Sequence, residues 1–293
     1  MSYEVIIIGG SYAGLSAALT LGRSLRRVLV IDEGLPCNRQ TPHSHNFLTQ
    51  DHVAPAEIAR KAREQVQAYP TVNFLADRVT EAKGNDGQFV LRTRTGQSSS
   101  AHKLIFGTGV KDILPEIEGF AACWGITAIH CPYCHGYEVK GVPTGILASG
   151  EMAIEYATLI KHWTNEVTVF SQGSLDTDKD RLEAIGVRLE TGPIQQILHD
   201  SGHMHEVILE NGRKISLQAM YHRPAYTQHC SLPEEMGCEL TEQGHLKVDM
   251  FKQTTIPGIY AVGDATTPMR AVSSAVASGT MAGAGVNREL IFG

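Results

Sequence analysis

Cys131 and Cys134 stand in the stretch HCPYCHGYE, His130 to Glu138, with a histidine on each side. Two chemistries fit those residue types. Thiolates and imidazoles bind zinc, and His130, Cys131, Cys134 and His135 offer ligands within six residues. A compact zinc site usually draws its ligands from two separated segments. No second pair with ligand spacing exists here, since Cys230 and Cys238 have seven residues between them. No metal site is therefore expected. The other chemistry is a dithiol that opens and closes as a disulfide. A C-x-x-C at a helix N-terminus favours the attacking thiolate, and Pro132 suits a first helical turn because its missing N–H costs nothing there. A redox pair then needs something to supply or remove electrons.

The rest of the composition narrows the setting. The chain has 293 residues, enough for two domains. It is 42% hydrophobic and 19% charged, which argues against disorder. Its 25 basic and 31 acidic residues give a net charge of −6 with no basic run, so nucleic acid is not an expected partner. No stretch reaches the roughly 18 apolar residues of a membrane helix. The opening MSYEVIIIGG lacks a positive n-region and reads as a buried strand, so a cytoplasmic location is expected. Cys37, Cys123, Cys230 and Cys238 are isolated and read as buried or incidental thiols.

The first thirty residues complete a β-α-β pattern. An apolar strand from Tyr3 to Ile8 leads through Gly9, Gly10 and Gly14 into a helix of small residues that includes Ala13. A second strand, Val28 to Ile31, ends at Asp32, 18 positions after Gly14, where an acid can accept from a ribose hydroxyl. Ser11 replaces the middle glycine of the fingerprint and is small enough for a phosphate to approach. The helix start presents free N–H groups to a pyrophosphate. A dinucleotide site follows from Gly9, Ser11, Ala13, Gly14 and Asp32.

Near the other end, GIYAVGDATTPMRAV precedes a long helix of small residues. Together with LIFGTG, Leu104 to Gly109, this segment resembles the pyridine nucleotide-disulfide oxidoreductase superfamily. The resemblance implies that the dinucleotide is FAD. It also implies contacts from Thr108, Gly109, Gly263, Asp264, Arg270 and Ala271, with Asp264 on the ribityl chain. The flavin segments flank the middle of the chain. The expected fold is therefore α/β, with two Rossmann-like three-layer dinucleotide-binding domains, the second inserted in a discontinuous FAD domain. The expected ranges are 1–115 with 244–293 for the FAD domain and 116–243 for the insert. Alternation from Val72 to Phe106 around an Asn-Asp-Gly turn adds a β-meander to the first.

In the insert a strand-helix-strand pattern restarts at Thr144, Glu151 and Val167. Its phosphate turn is poor: Ala148 replaces the first glycine and Glu151 places a negative charge at the helix start. After the second strand, Ser171 to Asp176 offers no arginine for a 2′-phosphate. Lys179 and Arg181 read as a solvated helix face.

Over essentially the whole chain the sequence is similar to low-molecular-weight thioredoxin reductases. HCPYCHGYE, NRQTPHSHNFLTQD and GDATTPMRAV are most similar to the branch that includes gliotoxin and holomycin dithiol oxidases. That resemblance implies that Cys131 meets the external dithiol or disulfide and that Cys134 faces the flavin. His135 stands where thioredoxin reductases carry the aspartate proton donor. Asn38, Arg39 and His45 become candidate cofactor contacts, and a homodimer is expected. The resulting expectation is an FAD-dependent thiol-disulfide oxidoreductase that does not use NADPH. Its partner would be a small dithiol or a thioredoxin-like protein. An NADPH-thioredoxin reductase with an atypical site and a non-catalytic flavin sensor are the alternatives.

Overall fold

The structure is a computed structural model that describes residues 2–293. The chain forms two compact units. One comprises Met1–Arg39, Phe47–Lys111 and Tyr226–Gly293; the other comprises Gln40–Asn46 and Asp112–Ala225.

The first unit begins with β1 (Ser2–Ile8), α1 (Tyr12–Arg23), β2 (Val28–Asp32), α2 (Pro55–Gln67) and β3 (Val72–Ala76). The strands β4 (Val79–Lys83), β5 (Phe89–Thr93) and β6 (Ser98–Phe106) follow, and β7 (Val110–Ile113) leads out. The second unit holds α3 (Phe120–Cys123), β8 (Ala128–Ile129), α4 (Pro132–His135), β9 (Thr144–Leu147) and α5 (Gly150–Ile160). It continues through β10 (Val167–Phe170), α6 (Lys179–Ala184), β11 (Arg188–Glu190), β12 (Ile194–Asp200), β13 (His203–Leu209), β14 (Lys214–Ser216) and β15 (Ala219–His222). The chain returns by β16 (Ala225–Gln228) to α7 (Leu232–Glu235), β17 (Ile259–Ala261) and α8 (Val272–Phe292).

In the first unit β3, β2, β1, β6 and β17 run parallel, and β6, β5 and β4 form the antiparallel meander. The two-residue period of a strand sorts its side chains between two cores. Val5 and Ile7 pack with Ala17, Leu21, Ala282 and Val286 of α1 and α8. Ile6 and Ile8 pack on the opposite face with Phe89 and Leu91 of the meander. Small residues let α8 lie directly on α1: a Cβ on Gly279 would sit 2.1 Å from the Ala13 carbonyl oxygen.

The second unit has a parallel sheet in the order β11-β10-β9-β15-β8 and a separate antiparallel sheet, β12-β13-β14. Ala153, Ile154, Tyr156, Ala157 and Ile160 of α5 are buried against Ile146, Val167 and Val169. The expected return to the flavin-type domain at residue 244 comes 18 residues earlier in the packing, at Tyr226. Leu232 and Cys238 are the reason, because both are buried in the core that holds Ile6 and Phe89. Among the described residues no helix is long and apolar enough to cross a membrane.

One buried charge ties the first unit together. Lys103 on β6 is 6% exposed, and its Nζ lies 2.6 Å from both Asp86 and Glu289. Removing the ammonium leaves Glu289 without its cation. Lys103→Met should lower the unfolding free energy by about 2 kcal/mol, less than a fully buried pair because both carboxylates are partly exposed. Lys83→Met, on an exposed pair with Glu81, should stay within about 0.5 kcal/mol of the parent. Chemical denaturation of the purified protein checks both.

Candidate active site

The first turn is built by contacts that admit no side chain. Gly9 has φ +101°, and a Cβ there would lie 2.4 Å from the Gly107 carbonyl oxygen. A Cβ on Gly14 would lie 1.9 Å from the Gly9 oxygen. These approaches draw the end of β1, the start of α1 and the end of β6 together. Ser11 is the N-cap of α1 but makes no side-chain capping bond, so the first-turn N–H groups have no cap from it. Asp32 accepts from Gly10 N at 2.9 Å and from Gly34 N at 3.1 Å, which fixes its carboxylate at the mouth of the turn. Thr108 Oγ1, beside this crossover, is buried without a hydrogen-bond partner. A buried hydroxyl in that state suits a ligand atom.

The second flavin-type segment has a matching character. Gly263–Ala265 forms a single 3-10 turn, and Gly263 N donates to Ser278 Oγ at 2.9 Å. Asp264 pairs with Arg270 at 3.6 Å, and both side chains are largely buried. Ala271 is the N-cap of the 21-residue α8, again with no side-chain capping bond. All three long helices of this unit, α1, α2 and α8, begin without side-chain caps, and the starts of α1 and α8, beside the two glycine turns, suit an anionic dinucleotide and an electron-rich ring edge. The residues present therefore fit FAD. Asn38 donates to Tyr12 Oη at 3.4 Å, and Arg39 donates to the Pro36 carbonyl at 3.1 Å. Gly109 follows Thr108 with φ +67°.

The thiol site lies in the second unit. Cys131 and Cys134 are joined as a disulfide, with Cα atoms 5.3 Å apart. Cys131 is the N-cap of α4, Pro132 takes the first helical position, and Cys134 and His135 N–H groups both donate to the Cys131 carbonyl. The pair thus sits at the start of a short helical turn, as the sequence implied. His130 stacks obliquely on Trp124, with ring centroids 6.0 Å apart. Of the other cysteines, Cys123 and Cys238 are buried, and burial pushes the thiols of Cys123, Cys230 and Cys238 up. Cys37 is exposed.

His45, expected beside the cofactor, belongs to the Gln40–Asn46 segment of the second unit, where its ring meets His135 edge-on at 6.0 Å. His45 Nε2 is also 3.6 Å from Glu138 Oε1. Sequence reasoning missed Glu138 as a site residue. Its signal was present, since it follows His135 by three positions in the same stretch. Burial holds the His135 ring below the ordinary histidine range, the neighbouring His45 lowers it further, and Glu138 opposes them.

The second dinucleotide-type turn differs from the first. Gly150 N donates to Thr177 Oγ1 at 2.9 Å. The Asp176 carboxylate closes over the same glycine, whose Cβ would lie 3.2 Å from Oδ2. Ser171 Oγ donates to the Ser174 carbonyl at 3.0 Å and Ser174 Oγ donates to Asp176, which folds this loop on itself. Arg181 is exposed, as expected of a solvated helix face, and its two terminal nitrogens donate to the likewise exposed Glu151 at 2.6 and 2.8 Å. That guanidinium holds the Glu151 carboxyl below its usual range.

The sequence profile described as pyridine nucleotide-disulphide oxidoreductase matches residues 3–279. The chain belongs to that family. Its members of the thioredoxin reductase type are FAD-binding flavoenzymes. The thioredoxin reductase sirT of Leptosphaeria maculans is 32% identical over 309 residues, covering 99% of this chain and 94% of that protein. The crystal structure of an oxidoreductase from Agrobacterium tumefaciens superposes with a TM-score of 0.93 at 42% identity, covering 100% of this chain and 99% of that one. The crystal structure of HlmI has the same TM-score at 31% identity, covering 99% of this chain and 93% of its own.

The surroundings of His135 set a titration. On the oxidised protein its ring should titrate below the ordinary value of about 6.5. Glu138→Gln should move the midpoint lower, because the carboxylate favours the imidazolium, and His45→Ala should move it higher. NMR titration of the His135 ring protons reads all three.

Proposed function

We propose that this flavoenzyme is a thiol-disulfide oxidoreductase whose Cys131/Cys134 pair exchanges electrons with FAD and whose electron partner is not NADPH. The observation that carries the reading is the contrast between two similar turns. At Gly9–Gly14 the N-cap Ser11 makes no side-chain capping bond, and the turn N–H that a side chain does take, Gly10, goes to Asp32, the acid expected to meet a ribose hydroxyl. At Ala148–Ala153 the N-cap Ser149 likewise makes no side-chain capping bond, but Gly150 N, the first N–H of α5, is taken by Thr177, and two carboxylates, Asp176 and the Arg181-paired Glu151, stand around it. A pyrophosphate entering there would displace a hydrogen bond and meet negative charge.

The thiol chemistry follows from α4. In the oxidising direction a substrate thiolate attacks Cys131 Sγ. A mixed disulfide forms, the Cys131–Cys134 bond breaks, and Cys134 leaves as a thiolate. A second substrate thiolate attacks the substrate sulfur of the mixed disulfide. The substrate disulfide forms, and Cys131 leaves as a thiolate. Two electrons have then passed to the protein; of the two protons shed when the substrate thiols ionise, His135 is proposed to accept one and solvent the other. A neutral imidazole can accept that proton near neutral pH, and the depressed titration of His135 keeps it neutral there. Bound FAD supplies the two-electron acceptor, or in the opposite direction the donor, that such a pair requires. Gly9, Ser11, Ala13, Gly14, Asp32, Asn38, Arg39, Thr108, Gly109, Gly263, Asp264, Arg270 and Ala271 are the residues of the first unit proposed to hold it. The substrate class is a small dithiol or a thioredoxin-like protein, with oxygen or a redox protein at the other end. A cytoplasmic homodimer completes the proposal.

Cys131→Ser and Cys134→Ser should each slow dithiothreitol-driven bleaching of the flavin under anaerobic conditions by at least about 100-fold. Both should retain FAD, because neither residue belongs to the first unit. Rates equal to the parent's in both variants would favour a flavin sensor that does not use the pair.

A further inference from the structure

His45, His135 and Glu138 present one ligand atom each, all within 4.8 Å of one another. We propose that these three side chains form a binding site for a first-row divalent cation of the zinc type, beside the redox disulfide.

The donor set is right for such an ion. Two imidazole nitrogens and one carboxylate oxygen form a familiar three-ligand set for zinc, which leaves a fourth position for water. Tetrahedral ligands at about 2.0–2.2 Å from zinc lie about 3.3 Å apart. His45 Nε2 and Glu138 Oε1 are already 3.6 Å apart, so side-chain rotation closes the set without moving the backbone far. The His45 and His135 rings meet edge to face, so a ring edge of one already points at its neighbour. The site is half-sheltered: the His45 side chain is 10% exposed and Glu138 36%. It is thus dry enough to strengthen an ion's attraction and open enough to admit one.

Two separated segments supply the ligands, ninety positions apart for His45 and His135. That is the arrangement the HCPYCH stretch could not provide by itself. The cysteines take no part, because they are bonded to each other in this state. A cation on His135 occupies the lone pair that would otherwise take a proton. Binding the ion and carrying the proton therefore exclude each other, a consequence that rests on the proposed role of His135.

The test uses the oxidised, flavin-loaded protein with Cys37→Ser, so that neither the closed pair nor the exposed thiol competes. Zinc chloride is titrated against a chromogenic chelator, and the zinc X-ray absorption spectrum is recorded. One zinc per chain is expected, with imidazole and oxygen ligands and no sulfur shell. His45→Ala and Glu138→Gln should each weaken binding at least about ten-fold while flavin content stays unchanged. No binding, a sulfur shell, or affinity unaffected by both substitutions would overturn the site. None of these readouts involves thiol exchange, so failure here leaves the proposed oxidoreductase reaction standing, and the reverse.

Discussion

The contact between Gly14 and the Gly9 carbonyl is the constraint on which the first unit depends. A methyl group at Gly14 would overlap that oxygen. The helix can start so close to the strand only because no side chain intervenes. Its N–H groups then face the end of the sheet, where an anion can meet them. The same economy recurs at Gly9 against Gly107 and at Gly279 against Ala13. Segments from both ends of the chain and from the middle are thereby locked into one sheet-and-helix core. A discontinuous domain is the consequence. Tyr226–Gly293 must return to complete a sheet and a helix pair begun by the first hundred residues.

The second unit repeats the parallel architecture with different chemistry at its turn. The fold needs β9, α5 and β10 to pack, and Ala153, Ile154 and Ala157 accomplish that without any nucleotide. Thr177 then takes the first N–H of α5 from within the protein, while Asp176 lies over the same glycine and Arg181 pairs with Glu151. A domain shaped by this core can thus support α4 and its cysteines whether or not its turn receives a phosphate. The two turns thus differ at one position: Gly150 N is taken by Thr177, whereas Ser11 makes no capping bond at the start of α1, and the unit with the occupied turn carries the thiols.

Much of this was legible in the sequence, and the limits have a common cause. Local patterns read correctly: the strand-turn-helix at Ile8–Tyr12, the strand ending at Asp32, the meander around Asn85–Gly87, and the helical turn starting at Cys131 and Pro132. Each depends on neighbours within a few positions or on turn chemistry. Three features depended on contacts between distant residues and so left no local trace. Arg181 is exposed, as a solvated helix face implies, but its pairing with Glu151 was hidden because that partner is thirty positions away. His45 packs with His135 and Glu138, contacts that its place in the loop after Asp32 does not announce. The return of the chain at Tyr226 was hidden because Leu232 and Cys238 reveal their core only once the sheet is built. Thr177 is a similar case: a hydroxyl in a polar stretch gives no hint that it receives Gly150 N–H.

The central claim is that electrons reach the flavin through Cys131 and Cys134 and not from a nicotinamide. Anaerobic titration of the flavin spectrum with NADPH, NADH and dithiothreitol in turn tests it most directly. The account predicts bleaching by the dithiol and an unchanged spectrum with either nicotinamide. Prompt, stoichiometric bleaching by NADPH would contradict it, and would mean that the loop holding Thr177 and Asp176 opens to admit the nucleotide.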